Sequence, residues 1–289
     1  MAYRSILVPL DGGEQGRRVL DIAHGLASEA GSHLDVFHAQ PDSKEAVPLL
    51  GEGMSGAMIE EMMELADRDA TAKSAVARKI YDELVGKHNL PVVERGPGSG
   101  GVTASWAQET GREDELVARR GRTSDLIVMG RPETDAERPS LMTLHAAIFE
   151  TGKPVLIVPP SNSENFGKRI AIAWNGSVEA SRAAAAAMPF LQKAEQVVIM
   201  SFETEKSANR LMPADLARYL SWHGVKTIEE TVSPAGRAVG EALLLQCQKE
   251  GADMLVMGAY THSRVIQIIL GGVTRHVITA SEIPLLMSH

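Results

Sequence analysis

The sequence has little of several things, and each shortage excludes a class of protein. Its 289 residues contain one cysteine, Cys247, which excludes an internal disulfide and any cysteine-rich metal site. Cys247 lies in the apolar helical stretch Ala242-Leu-Leu-Leu-Gln-Cys247, so a buried, unreactive thiol is expected. No stretch approaches the ~18 uninterrupted apolar residues of a spanning helix. The N-terminal Met1-Ala-Tyr-Arg-Ser-Ile-Leu-Val-Pro-Leu-Asp11 runs straight into a strand, without the apolar core of a signal peptide. The expectation is a cytoplasmic protein with no membrane partner. Lys and Arg number 29 against 37 Asp and Glu, a net charge of −8, which argues against a nucleic-acid partner.

Catalytic signatures are missing as well. The Gly-Lys pairs at 86–87, 152–153 and 167–168 are followed by His, Pro and Arg, so there is no Walker A loop. Asp11-Gly-Gly-Glu-Gln-Gly16 lacks the glycine spacing of a dinucleotide fold. Gly96-Pro-Gly98-Ser99-Gly100-Gly101 is no nucleophile elbow, because Pro97 stands where the first glycine belongs. It reads as a flexible loop between the third strand and its helix. The histidines are scattered without a metal-ligand spacing, and His38 and His145 read as satisfied structural residues. Met54, Met58, Met62 and Met63 follow helical spacing in part and read as core or interface packing.

What the sequence does contain is a repeat. Hydrophobic residues make up 44% and charged residues 23%, a globular balance, and the length suits two domains of ordinary size. Ser5-Ile-Leu-Val-Pro-Leu-Asp11-Gly-Gly answers Arg169-Ile-Ala-Ile-Ala-Trp-Asn175-Gly-Ser. Asp125-Leu-Ile-Val-Met-Gly130 answers Asp253-Met-Leu-Val-Met-Gly258, and Lys153-Pro-Val-Leu-Ile-Val-Pro answers Ile283-Pro-Leu-Leu-Met-Ser-His. The order is the same in both halves. Pro159-Pro-Ser-Asn-Ser-Glu-Asn-Phe-Gly167 has the composition of a surface linker, which sets domains at 1–160 and 168–289.

Within the first copy, Ile6–Leu10, Leu34–Ala39, Val92–Glu94, Leu126–Met129 and Val155–Val158 read as strands. Most are continuous Val, Ile and Leu runs, as in a parallel sheet buried on both faces. Helices are expected at Gly16–Ala30, Ala57–Val85, Val102–Arg120 and Leu141–Thr151, with Gly31, Gly86, Gly121 and Gly152 as C-caps. The second copy repeats the scheme, with strands near 170–174, 196–202, 225–231, 254–257 and 284–287 and a shorter second helix from Pro213. This alternation predicts two tandem α/β domains, each a doubly wound, Rossmann-like parallel sheet of five strands. Ligands of such sheets sit beyond the carboxyl ends of the strands.

After the fourth strand of the second copy comes Gly258-Ala-Tyr-Thr261-His262-Ser-Arg264, and then Gly271-Gly272-Val273-Thr274-Arg275 opens a helix. Glycines before a helix start let backbone N–H groups converge on an anion, aided by the helix dipole. Thr274 offers a hydroxyl, and Arg275 or Arg264 a charge-assisted contact. The competing reading is plain helix packing, with the glycines as a cap.

On these segments the whole chain resembles a tandem universal stress protein, of the universal stress protein A family of adenine-nucleotide-binding α/β folds. The nucleotide-binding members show Gly-x-x-Gly, nine residues, then Gly-Ser or Gly-Thr. This chain has Gly258-x-x-Thr261, nine residues, then Gly271-Gly272. Where those members end the first strand with an aspartate, the second copy has Asn175. The resemblance implies an adenine nucleotide (ATP, ADP or AMP, with Mg²⁺ accompanying the phosphates) held by Ala173, Asn175, Ser201, Phe202, Met257, Gly258 and Gly271–Thr274, that is Gly271, Gly272, Val273 and Thr274. It also implies two copies packed as a pseudo-twofold pair through their last strands, 154–158 and 284–287. The first copy keeps Asp11 and Gly130 and then departs, with Pro132, Pro139 and the acidic Glu133, Asp135 and Glu137. Its site reads as lost, and Asp11 as a helix N-cap. Three hypotheses follow in order: a nucleotide-binding regulatory module, a scaffold acting through protein partners, and slow nucleotide hydrolysis with His262 as the candidate base. A homodimer of chains is compatible with all three.

Overall fold

The computed structural model describes residues 2–13, 15–42, 55–96, 100–132, 138–160, 165–202, 212–259 and 272–289. The chain forms two compact units. The first contains strands β1 (Ser5–Pro9), β2 (His33–Gln40), β3 (Thr103–Thr110) and β4 (Leu126–Gly130). Its helices are α1 (Gly16–Ala30), α2 (Gly56–His88), α3 (Glu113–Gly121) and α4 (Arg138–Glu150). The second contains β5 (Val155–Val158), β6 (Arg169–Ala173), β7 (Gln196–Phe202), β8 (Thr227–Val232), β9 (Met254–Gly258) and β10 (Leu285–Ser288). Its helices are α5 (Val178–Ala186), α6 (Met188–Leu191), α7 (Pro213–Ser221), α8 (Val239–Lys249) and α9 (Gly272–Ala280).

The central strands are those whose sequence is continuously apolar. Ile6, Leu7 and Val8, Leu126 to Val128, and Leu255 and Val256 are fully buried, because helices on a parallel sheet remove both faces from water. In the first unit β1 runs parallel to β2 on one side and β4 on the other, with β3 beyond β2. In the second, β6 lies between β7 and β9 in the same parallel sense, with β8 beyond β7 and β10 beyond β9. The two last strands pair antiparallel as expected, Leu285 opposite Ile157 and Met287 opposite Val155.

The repeated aspartate is an anchor. Asp125 Oδ2 accepts from the backbone N–H groups of Arg4 (2.7 Å) and Ser5 (3.0 Å). Asp253 accepts from those of Gly167 (2.8 Å), Lys168 and Arg169 (both 3.1 Å). In each unit the start of the fourth strand thereby fixes the start of the first, a charge-assisted use of N–H groups that precede the sheet.

Several expectations are corrected. The third strand is not Val92–Glu94, where Val92 makes only an isolated bridge to Ala104. It is Thr103–Thr110, paired with β2 over eight residues, and the helix expected from Val102 begins at Glu113. This edge strand is tied by polar side chains: His33 lies 2.8 Å from Thr103 Oγ1 and 3.0 Å from Ser105 Oγ, and Arg120 donates to both oxygens of Asp35 at 2.8 and 2.9 Å. An apolar-period signal is therefore absent where the strand is. The Gly96–Gly101 loop accordingly precedes β3, and its residues 97–99 lie outside the described residues.

Of the four expected helix caps, Gly31 is the left-handed C-cap of α1 (φ 62°). Gly86 lies inside α2, which Asn89 caps instead (φ 49°). Gly121 is the last residue of α3 and is glycine for space, since a Cβ there would meet Thr151 Cγ2 at 2.7 Å and Ile127 Cδ1 at 2.8 Å. Met58 and Met62 are exposed on α2 and not in the core, and Met54 lies outside the described residues. Cys247 is buried, and burial pushes its thiol up to about 12, which leaves it unreactive.

Candidate functional site

The order β7–β6–β9 places the crossover reversal of the second unit at β6, whose carboxyl end is the expected ligand position. Ala173 ends β6, opposite Met200 of β7 and Met257 of β9. Ser201 and Phe202 finish β7 and are half-buried, while Met257 and Gly258 finish β9. Trp174 N–H donates to the Met200 carbonyl at 2.8 Å and continues the ladder one residue past the strand. Strand register thus brings Ala173, Asn175, Ser201, Phe202, Met257 and Gly258 to one rim.

Local chemistry explains two of these residues. Asn175 Oδ1 accepts from Ser177 N–H at 3.1 Å, and Ser177 Oγ accepts from Ala180 N–H at 3.1 Å as the N-cap of α5. The first step is an Asx turn and the second a helix cap. In the first unit Asp11 Oδ1 accepts from Gly13 N–H at 2.7 Å, the same turn with a carboxylate. Asp11 is therefore not the cap of α1; Gln15 holds that position and makes no side-chain cap bond. Gly258 is fixed by packing, because a Cβ there would come within 2.5 Å of Ala180 N and 2.7 Å of the Glu179 carbonyl carbon. The first turn of α5 lies directly against it.

The residues of α9 differ in character. Gly272, its first residue, is exposed, and a Cβ there would meet nothing within 4 Å among the described residues. Val273 is partly exposed and Thr274 is buried. Gly240 of α8 packs against this helix, its Cβ position lying 3.2 Å from the Val273 carbonyl oxygen and 3.1 Å from His276 Cδ2. Gly271, Thr261, His262 and Arg264 lie outside the described residues. Arg237, near the start of α8, pairs with Glu241 at 3.4 Å. Among the described residues no group of three or more His, Cys, Asp or Glu is placed to hold a metal ion.

The first unit contains a feature that sequence reading missed. Thr143-Leu-His145 of α4 answers Thr274-Arg-His276 of α9. Thr143 Oγ1 donates to Glu113 Oε2 at 2.8 Å. Burial first, then the nearby Asp11 and Asp114 carboxylates, push the Glu113 carboxyl up to about 7, against the opposing pull of the Thr143 hydroxyl and Lys73. Where α3 begins with Glu113, α8 begins with Val239. The repeated Thr-x-His was the available signal, but the approach of the two helices was not legible. His38 is satisfied as expected, by the Leu10 carbonyl at 2.6 Å and Ser74 Oγ at 2.9 Å. His145 is not: its Nε2 is buried without a hydrogen-bond partner, and burial lowers its pKa.

Two tandem repeats of parallel strands, each with its reversal beside the first strand, define a doubly wound α/β protein. The Universal stress protein family matches residues 2–159 and 177–289, and the chain belongs to that family. The crystal structure of a universal stress protein from Archaeoglobus fulgidus DSM 4304 superposes on 100% of this chain and 96% of its own, with a TM-score of 0.69 at 17% identity. A functionally unknown protein from Pseudomonas aeruginosa PAO1 covers 99% of this chain and 92% of its own, with a TM-score of 0.58 and 17% identity. At such identity the likeness speaks for the fold. A universal stress protein solved in complex with cAMP also matches, over 55% of this chain and 98% of its own, with a TM-score of 0.36 and 17% identity. No curated protein sequence matches the chain. No helix among the described residues is long and apolar enough to cross a membrane.

Proposed function

We propose that the second repeat, residues 168–289, binds an adenine nucleotide and that the chain acts as a cytoplasmic stress-response regulator without efficient catalysis. The first repeat, residues 1–160, serves as its structural partner. The observation that carries the reading is the contrast at the equivalent threonines. Thr143 is engaged by the Glu113 carboxylate, which would repel a phosphate; α8 begins with Val239 and Gly240, and the carboxylate of its first turn, Glu241, is paired with Arg237 at 3.4 Å.

In this reading Ala173 and Met257 form the apolar floor for the base, beside Ser201 and Phe202. Asn175 sits at the ribose side, and its turn keeps the backbone from Ala173 to Ser177 in one shape. Gly271, Gly272, Val273 and Thr274 supply backbone N–H groups at the positive end of α9 for the phosphates. The open space at Gly272 suits an anion approaching the backbone, and Mg²⁺ would be carried in by the phosphates. The bound nucleotide supplies charge and a two-state signal. The chain's own residues orient it and exclude water from the base.

The open space also makes the test clean. Gly272→Asp places a carboxylate at the helix start where there is room for it, so the fold should be unchanged and nucleotide affinity should fall at least about tenfold. Equal affinity in that variant would refute the phosphate-loop reading. One observation favours a second reading, a scaffold for protein partners: Gly258 and Asn175 are both accounted for by the packing and capping of α5, without any ligand. A chain that takes no nucleotide would leave that reading standing.

A further inference from the structure

Among the described residues, the first unit carries a helix much longer than its counterpart in the second. Helix α2 spans Gly56–His88, while α7, at the equivalent place, spans only Pro213–Ser221. From Ala70 onward α2 packs inward through Ala70, Ser74, Ala77, Ile80, Tyr81 and Leu84. Before Ala70 no residue of the helix is buried. Ile59, Met63 and Ala66 are only half-buried on its inner side, and local terms add to them: Ser55 caps Met58 N–H at 3.3 Å, Arg68 reaches Glu64 at 3.3 Å and Lys73 reaches Asp69 at 3.0 Å. A helical stretch of this length is marginal in water without packing.

Its side chains are sorted all the same. Met58, Met62 and Leu65 follow the 4–3 spacing of a coiled-coil seam, and they are 52%, 37% and 68% exposed. The line runs on through Asp69, whose carboxylate pairs with Lys73 at 3.0 Å, to Ala72 and Val76, with Val76 also exposed. Glu60, Glu64 and Asp67 lie on the opposite side of the helix, whereas Glu61 and Arg68 flank the seam at the same heptad position. Positions beside a seam set partner and orientation through charge. Glu61 and Arg68 carry opposite charges seven residues apart, so the edge complements itself when a second arm runs antiparallel. Centred on Met62 and Leu65, that pairing brings Glu61 of each arm to Arg68 of the other.

We propose that the α2 arm is a homodimerisation surface, covered by the same arm of a second copy of this chain in an antiparallel, two-fold pair. The isologous geometry lets one patch serve both partners, and burial of the methionine stripe adds to the partial packing of the arm's inner side. Met58, Met62 and Leu65 are the three large apolar side chains that each arm exposes, which suits a small interface and weak association. The inference is independent of nucleotide binding.

Sedimentation equilibrium of the full chain from about 1 to 200 µM tests it. The expected mass climbs from the 31.0 kDa chain toward twice that value. Met62→Lys with Leu65→Lys, both at exposed positions, should stay monomeric throughout with unchanged thermal unfolding. Glu61→Arg should weaken the dimer about fivefold, and adding Arg68→Glu should restore it to within about twofold, since the pairs are re-formed with their signs exchanged. A wild-type chain that stays monomeric at 200 µM overturns the proposal. So does a lysine variant that dimerises like wild type, or a double charge exchange that fails to restore what the single one removed.

Discussion

The two units have the same scaffold and differ at their strand ends. Both anchor the first strand to the fourth through a repeated aspartate, Asp125 and Asp253, and both turn out of it with an Asx turn, at Asp11 and Asn175. Beyond that turn they part. The first unit sets the Glu113 carboxyl against Thr143, whereas the second has Val239 at the start of the matching helix and an open Gly272 at the start of the next. Duplicated scaffold residues thus persist for reasons of folding, and the chemistry can change in one copy without cost to the frame.

Gly258 and Gly272 sharpen this comparison most strongly, because they separate packing from ligand access. Gly258→Val should destabilise the chain by about 3 kcal/mol in urea unfolding, since the side chain collides with the α5 backbone. Gly272→Ala, in open space, should change stability by less than about 0.5 kcal/mol. Equal effects at the two sites would break the distinction.

The anchors come next. Asp253→Ala leaves three backbone N–H groups without their carboxylate and should cost about 2 kcal/mol, and Asp125→Ala, with two, somewhat less. Denaturant midpoints of the two variants check the order.

The effect of Glu113 depends on pH. With the folded carboxyl raised to about 7, the unfolded chain ionises first as pH rises from its ordinary value near 4.5, so the folded state binds more protons in that window. Stability is therefore lost between about pH 4.5 and 7, and the full penalty of about 1–3 kcal/mol remains above pH 7. Glu113→Gln should melt above wild type at pH 8 and close to it at pH 4.5. A wild-type advantage at pH 8 would show that the carboxylate is stabilised at its site.

How much of this was legible depended on where the causal interactions lie. The strands buried on both faces, β1, β4 and β9, were evident because continuous Val, Ile, Leu and Met runs have no other soluble use. The edge strand β3 was not, because Thr103, Ser105 and their partners His33 and Asp35 replace apolar burial with a polar seam that period alone cannot show. Gly258 was picked out as a ligand residue, yet the need for glycine there comes from α5, which only the packed fold shows. Glu113 escaped for the same reason: its partner, Thr143, is distant in sequence and meets it only through the approach of two helices.

The central claim is that one repeat of the two has a working nucleotide site. Its most direct measurement is calorimetric titration of the full-length, nucleotide-stripped chain with ATP and Mg²⁺. The account predicts one site per chain, with a dissociation constant of order micromolar (about −8 kcal/mol). Two equivalent sites per chain, or no heat together with no thermal stabilisation at millimolar ATP, would contradict it.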